Sequence, residues 1–237
     1  MTLLRRAAAE ALGTAFLLLA VVGSGIMGER LAGGNVAIAL LANSIATGCA
    51  LAALILTFGP ISGAHFNPAI TLADATQRGL RWSDVPAYLA AQVLGAFAGV
   101  AAAHLMFGEA LFTASTHARC EPAHVFAEFV ATFGLMSVIW GCLRSRSTAV
   151  PFAVAAYITS AYWFTSSTSF ANPAVTLARA ASDTFAGIRP NDAPLFLLAQ
   201  LGGAMTATVM WRWLSPVLPT IVPSVVLPRR DSDQASP

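Results

Sequence analysis

Two asparagines stand where polar chemistry is least expected. Asn67 and Asn172 each open the same run, Asn-Pro-Ala-(Ile/Val)-Thr-Leu-Ala, in a 237-residue chain that is 57% hydrophobic. The two runs, beginning Asn67-Pro68-Ala69 and Asn172-Pro173-Ala174, lie 105 positions apart. Each reads as a helix start. Asn is a preferred N-cap, Pro at the first helical position gives up an N–H that has no partner there, and Ala, Thr and Leu carry the helix on. If the side-chain oxygen caps its own helix, the amide N–H groups remain as donors. Two helix N-termini, each equivalent to about +0.5 charge, would then offer donors to a neutral oxygen-bearing solute and repel cations. No nucleophile, paired carboxylates or metal-ligand cluster converges in sequence, so no enzyme, cofactor or metal is indicated.

The composition says what must position these groups. Only 10% of residues are charged and the mean hydropathy is +0.69, where a soluble domain carries about 25% charge. The chain therefore reads as an all-α membrane protein. The charge-free runs 31–73 and 147–178 hold 43 and 32 residues, too long for one crossing of about 20 residues. Each accommodates a span plus a re-entrant piece, and each re-entrant piece is the Asn-Pro-Ala run. Spans are expected near 7–28, 35–58, 85–107, 123–143, 148–165 and 193–213, with half-helices over 67–76 and 172–181. A helix break is expected over Gly59-Pro60-Ile61-Ser62-Gly63-Ala64.

The landmarks recur in order. Ala9-Glu10 through Thr14 is echoed by Ala127-Glu128 through Thr132, and Ala91-Gln92-x-x-Gly95-Ala96 by Ala199-Gln200-x-x-Gly203-Ala204. Three spans per repeat is an odd number, so the second repeat must enter the membrane upside down. The repeats cover 1–107 and 123–214, joined by a loop over 108–122 and followed by a Pro-rich tail over 215–237. Inverted repeats place their permeation site at the midplane. With cytoplasmic termini, nine arginines lie inside and four (Arg30, Arg119, Arg179 and Arg189) outside, as the positive-inside rule requires. A multi-pass location in the cell (inner) membrane is expected. The net charge of +2 points to no nucleic-acid partner, and Cys49, Cys120 and Cys142 show no paired spacing and read as packing residues.

The doubled Asn-Pro-Ala, the Ala-Glu-x-x-(Gly/Ala)-Thr openings and the Ala-Gln-x-x-Gly-Ala spans resemble the major intrinsic protein family, the aquaporins and glycerol facilitators, over residues 5–214. The resemblance implies six transmembrane helices plus two re-entrant half-helices, one pore per subunit, a homotetramer in the lipid bilayer, and small neutral solutes as cargo. It implies that Glu10 and Glu128 hold re-entrant loop backbone and that His65 lies at the cytoplasmic mouth. The family's filter arginine would fall at Val175 and its span-two aromatic at Thr47, so both bulky gatekeepers are missing. The span-five filter position falls at Ser160, with Tyr162 as a rival, and Ser169 completes the expected filter. Arg179 could substitute for the missing guanidinium, but is read in preference as an arginine reaching solvent from the far end of the half-helix. Such a filter should be wide, poor in donors and free of fixed charge. In these respects the chain is similar to the aquaglyceroporins of bacterial arsenic-resistance operons, which implies arsenite and methylated arsenicals as permeants. The alternatives are a general water and glycerol facilitator and a coupled secondary transporter. The latter would need a titratable residue in the central path, and besides Glu10, Glu128 and His104 the spans offer almost none.

Overall fold

A computed structural model describes residues 1–145 and 147–215. Arg146 and the expected tail from 216 onward, including Arg229 and Arg230, lie outside the described residues. The described chain forms eight α-helices: α1 (Leu3–Leu31), α2 (Val36–Ser62), α3 (Pro68–Thr76), α4 (Val85–Phe107), α5 (Pro122–Ser145), α6 (Val150–Phe164), α7 (Pro173–Arg179) and α8 (Ala193–Leu214). Helices α1, α2, α4, α5 and α8 are long and apolar enough to cross a membrane. Helix α6, at 15 residues, rises about 22 Å and is preceded by a 3-10 turn, Ser147–Ala149. It ends early because Thr165 is extended and leads directly into the second re-entrant loop.

The expected break over 59–64 falls at Gly63, so that α2 extends four residues past the expected end at Phe58. Helix α2 runs through Pro60 to Ser62 and is stopped by Gly63, whose φ of 94° is left-handed and whose N–H donates to the Gly59 carbonyl. Proline lacks only its own donor and crowds one carbonyl a turn earlier, so near a helix end it is tolerated. Helix α3 ends at Thr76 as expected, while α7 stops at Arg179, two residues short of the expected 181.

Small residues set the packing. Helix α1 packs on α4 and α2, α5 on α8, and α2 meets α6 across the halves. A Cβ on Gly95 or Gly99 would strike the Ala11 or Ala15 carbonyl, and one on Gly203 the Phe129 carbonyl. Between lipid-immersed helices close backbone approach replaces the hydrophobic effect as the source of attraction, which explains why Gly95 and Gly203 stand three residues after Gln92 and Gln200. The outward faces are apolar too: Leu41, Ile45, Leu94, Leu105 and Val209 are exposed, as for helices facing lipid. Cys49 is exposed among them and Cys120 is exposed on the 108–121 loop, which corrects the reading of both as packing residues.

Candidate functional site: a lumen between two half-helices

Each Asn-Pro-Ala caps its helix through its own side chain. Asn67 Oδ1 accepts from the Ala69 N–H at 2.9 Å, and Asn172 Oδ1 from those of Ala174 and Val175 at 3.0 and 3.3 Å. The two caps are also tied to each other. Asn67 Nδ2 donates to the Ala171 carbonyl at 2.8 Å, and Asn172 Nδ2 to the Phe66 carbonyl at 2.7 Å. Helices α3 and α7 thus meet N-terminus to N-terminus. One of each asparagine's two amide hydrogens is used in this crossing, which halves the expected pair of lumen donors to one apiece.

The loops ahead of the caps are strained alike. Ala64 and Phe66 have φ of 50°, and Ser169 and Ala171 have φ of 50° and 49°, a conformation that costs L-residues of order 1–3 kcal/mol each. It persists because buried carboxylates hold it. Glu10 Oε1 accepts from the His65 N–H at 3.0 Å and the Ser62 hydroxyl at 2.6 Å, and its Oε2 accepts from the Phe66 N–H at 2.7 Å and Gln92 at 2.8 Å. Glu128 does the same for Phe170, Ala171 and Gln200 at 2.8, 2.9 and 2.6 Å. Gln92 and Gln200 each donate also to a threonine of the half-helix, Thr71 and Thr176, at 2.9 Å. The sequence order glutamate, Asn-Pro-Ala, glutamine is therefore one hydrogen-bonded unit built twice.

A narrow cavity of about 60 Å³ runs from His65 past both asparagines to Val175 and Arg179. His65 is buried, with Nδ1 3.0 Å from Thr71 Oγ1 and Nε2 3.6 Å from Asp74. Beyond it a wider space of about 320 Å³ is bounded by Arg6, Asp74, Asp84 and Tyr88. At the other end Thr47, Val175 and Ser169 line the cavity, and the Ser169 hydroxyl is buried without a partner among the described residues.

Two site expectations are corrected. Ser160 is exposed and donates to the Tyr157 carbonyl at 2.8 Å. Tyr162 is the α6 residue on the lumen, in step with Val154 and Ile158 at four-residue spacing, and its hydroxyl lies 3.3 Å from Thr47 Oγ1. That spacing was a signal available in the sequence. Arg179 does not reach solvent. It is 2% exposed, its Nε donates to the Ala186 carbonyl, and its guanidinium lies 3.3 Å from the Phe170 ring centroid. The lining thus includes a fixed positive charge and a phenol, so it is neither donor-poor nor uncharged. The 105-residue offset places Arg179 opposite Asp74, which is likewise buried.

Comparison with known proteins agrees with this architecture. The sequence profile of the major intrinsic protein family matches residues 1–157. An aquaglyceroporin of Rhizobium meliloti (strain 1021), AqpS, is 52% identical over 220 residues, covering 92% of this chain and 94% of that protein. Aquaporin NIP1-1 of Oryza sativa subsp. japonica is 41% identical over 135 residues, 56% of this chain and 46% of its own length. The X-ray structure of the aquaglyceroporin from Plasmodium falciparum superimposes with a TM-score of 0.72 at 20% identity, covering 91% of this chain and 98% of that one, and so shares its fold. A chain whose two halves close a lumen between facing half-helices, and whose sequence matches on this scale, belongs to the major intrinsic protein family, an integral membrane channel and not an enzyme.

Proposed function

We propose that this channel passes small uncharged hydroxylated solutes of glycerol size and larger, arsenite and methylated arsenicals among them. The observation that carries the reading is Val175, a small apolar residue on the lumen in the first turn after the second Asn-Pro-Ala. Thr47 lines the same end of the lumen, with the Tyr162 hydroxyl 3.3 Å from its Oγ1. Asn67 and Asn172 supply the central donors, Pro68, Ala69, Pro173 and Ala174 the helix starts, and Thr47, Val175, Ser169 and Tyr162 the constriction. The protein works as a homotetramer in the inner membrane with both termini cytoplasmic, so that Arg179 lies toward the outside.

The test is flux in proteoliposomes for water, glycerol, arsenite and a methylarsenical, in wild type and in Val175→Phe. The added ring narrows the lumen without adding charge. Water flux should stay within about threefold while the larger solutes fall by about tenfold or more. A folded variant with unchanged solute ratios refutes the role given to Val175, and wild-type flux no higher than bare lipid refutes the channel reading. A general water and glycerol facilitator is the second reading, favoured by the donors that Tyr162 and Arg179 bring to the lumen. Wild type passing glycerol but no arsenical selects it.

A further inference from the structure

Arg179 is buried with no carboxylate partner among the described residues. An unpaired buried cation costs several kcal/mol, so its retention in the lumen calls for a use. Its position is built, not incidental. Nε donates to the Ala186 carbonyl, and the guanidinium packs on Phe170. The loop carrying Ala186 is anchored by Ser182, whose hydroxyl lies 2.8 Å from His104 Nε2, and by Gly187, where a Cβ would strike Ser115. A second guanidinium, Arg119, reaches the same ring at 5.1 Å and donates to the Gly187 and Ser167 carbonyls at 3.0 Å each. Backbone carbonyls hold both cations, and neither makes an ion pair with an acid among the described residues. The terminal amino groups of Arg179 find no acceptor among the described residues, and the side chain lines the cavity one turn beyond Val175. The same register holds in the first half, where Asp74 turns back to His65 as Arg179 turns back to Phe170.

We propose that Arg179 is the specificity-determining cation of this lumen, delivered from the end of α7: its free N–H groups donate to hydroxyl oxygens of the passing neutral solute, and its positive charge bars cations. The proposal rests on the channel reading above and adds the residue that sets charge selectivity. Arginine suits the place because its planar fork stacks on an aromatic ring and leaves donors at its edge. The charged and titratable groups around it are Arg119 from the 108–121 loop, Tyr162 from α6 and Glu128 from α5.

The experiment compares glycerol flux with Na+ entry driven by a K+ diffusion potential in proteoliposomes. Arg179→Gln should raise Na+ entry by about tenfold or more while still conducting glycerol, a change that loss of packing alone does not produce. Arg179→Lys keeps the charge on a group that burial can discharge. Its Na+ entry should match wild type near pH 6 and rise toward pH 10, whereas wild type stays flat. Wild-type Na+ entry in a glycerol-conducting Arg179→Gln overturns the proposal. If that variant does not fold, a flat profile in Arg179→Lys overturns it instead. Absence of glycerol flux in wild type strikes the channel reading, which separates the two failures.

Discussion

Replacing Glu128 by glutamine should destabilise the second re-entrant loop by a definite amount. Three N–H donors converge on its two oxygens: Phe170 on Oε1, and Ala171 with Gln200 on Oε2. Glutamine offers one oxygen and an NH2 group. With the oxygen at the Oε2 place, the Phe170 N–H faces a donor. With it at the Oε1 place, the Ala171 N–H is orphaned and Gln200 must turn over. Either way one buried backbone donor is left unpaired, at about 1–3 kcal/mol. For a domain of this size each kcal/mol shifts the midpoint by about 2–4 °C, so thermal unfolding in detergent should fall by roughly 2–12 °C. Flux should fall as well, because Ala171, whose carbonyl holds Asn67, has φ of 49° and relaxes when its tether goes. A Glu128→Gln protein that melts with wild type and conducts with wild type would refute the view that this carboxylate holds the loop in its strained form.

Gly203→Ala should lower the melting point through about 1–3 kcal/mol of overpacking, since its Cβ meets the backbone of α5 at Phe129 and Phe133; Gly202→Ala, whose Cβ meets only the Phe129 ring at 3.7 Å or more, is the control. Acid should release the 108–121 loop. The backbone N–H and hydroxyl of Thr116 hold the Asp183 carboxyl below its ordinary 3.8, so the stabilisation is present above that value and lost as pH falls through the lower folded one. Limited proteolysis of the loop should show protection at pH 5 that Asp183→Asn lacks; equal cleavage of the two proteins would remove Asp183 from the account.

Much of the site is legible in the residues because local rules produce it. Asn at the cap and Pro at the first turn make each half-helix start whatever surrounds it, and a doubled run 105 residues apart declares the repeat. Charge-free length limits the number of crossings, and the repeated order of Glu10, Asn67, Gln92 and Glu128, Asn172, Gln200 marks the groups that hydrogen bonding joins. Helix ends are less legible. The stretch 59–64 reads as a break without showing which residue makes it: α2 passes through Pro60, where the loss of one donor in a last turn is small, and ends at the left-handed Gly63 cap.

The filter is where local rules fail. Choosing Tyr162 over Ser160 depends on the rotation of α6 about its axis, which is set by α2 and α5 packing on it, and a fixed count back from Asn172 ignores how the loop is wound. Arg179 carries the larger lesson. Its sequence neighbourhood is that of an arginine at a helix end free to seek water, and nothing within reach along the chain says otherwise. Phe170 lies nine residues before it and Ala186 seven after, and only the folding of both loops over the end of α7 brings ring and carbonyl to the guanidinium. Caps, spans and repeat are properties of short stretches and follow from residue types and spacing; the charge of the lumen depends on which side chains several distant segments jointly enclose, and that exists only once the helices have packed.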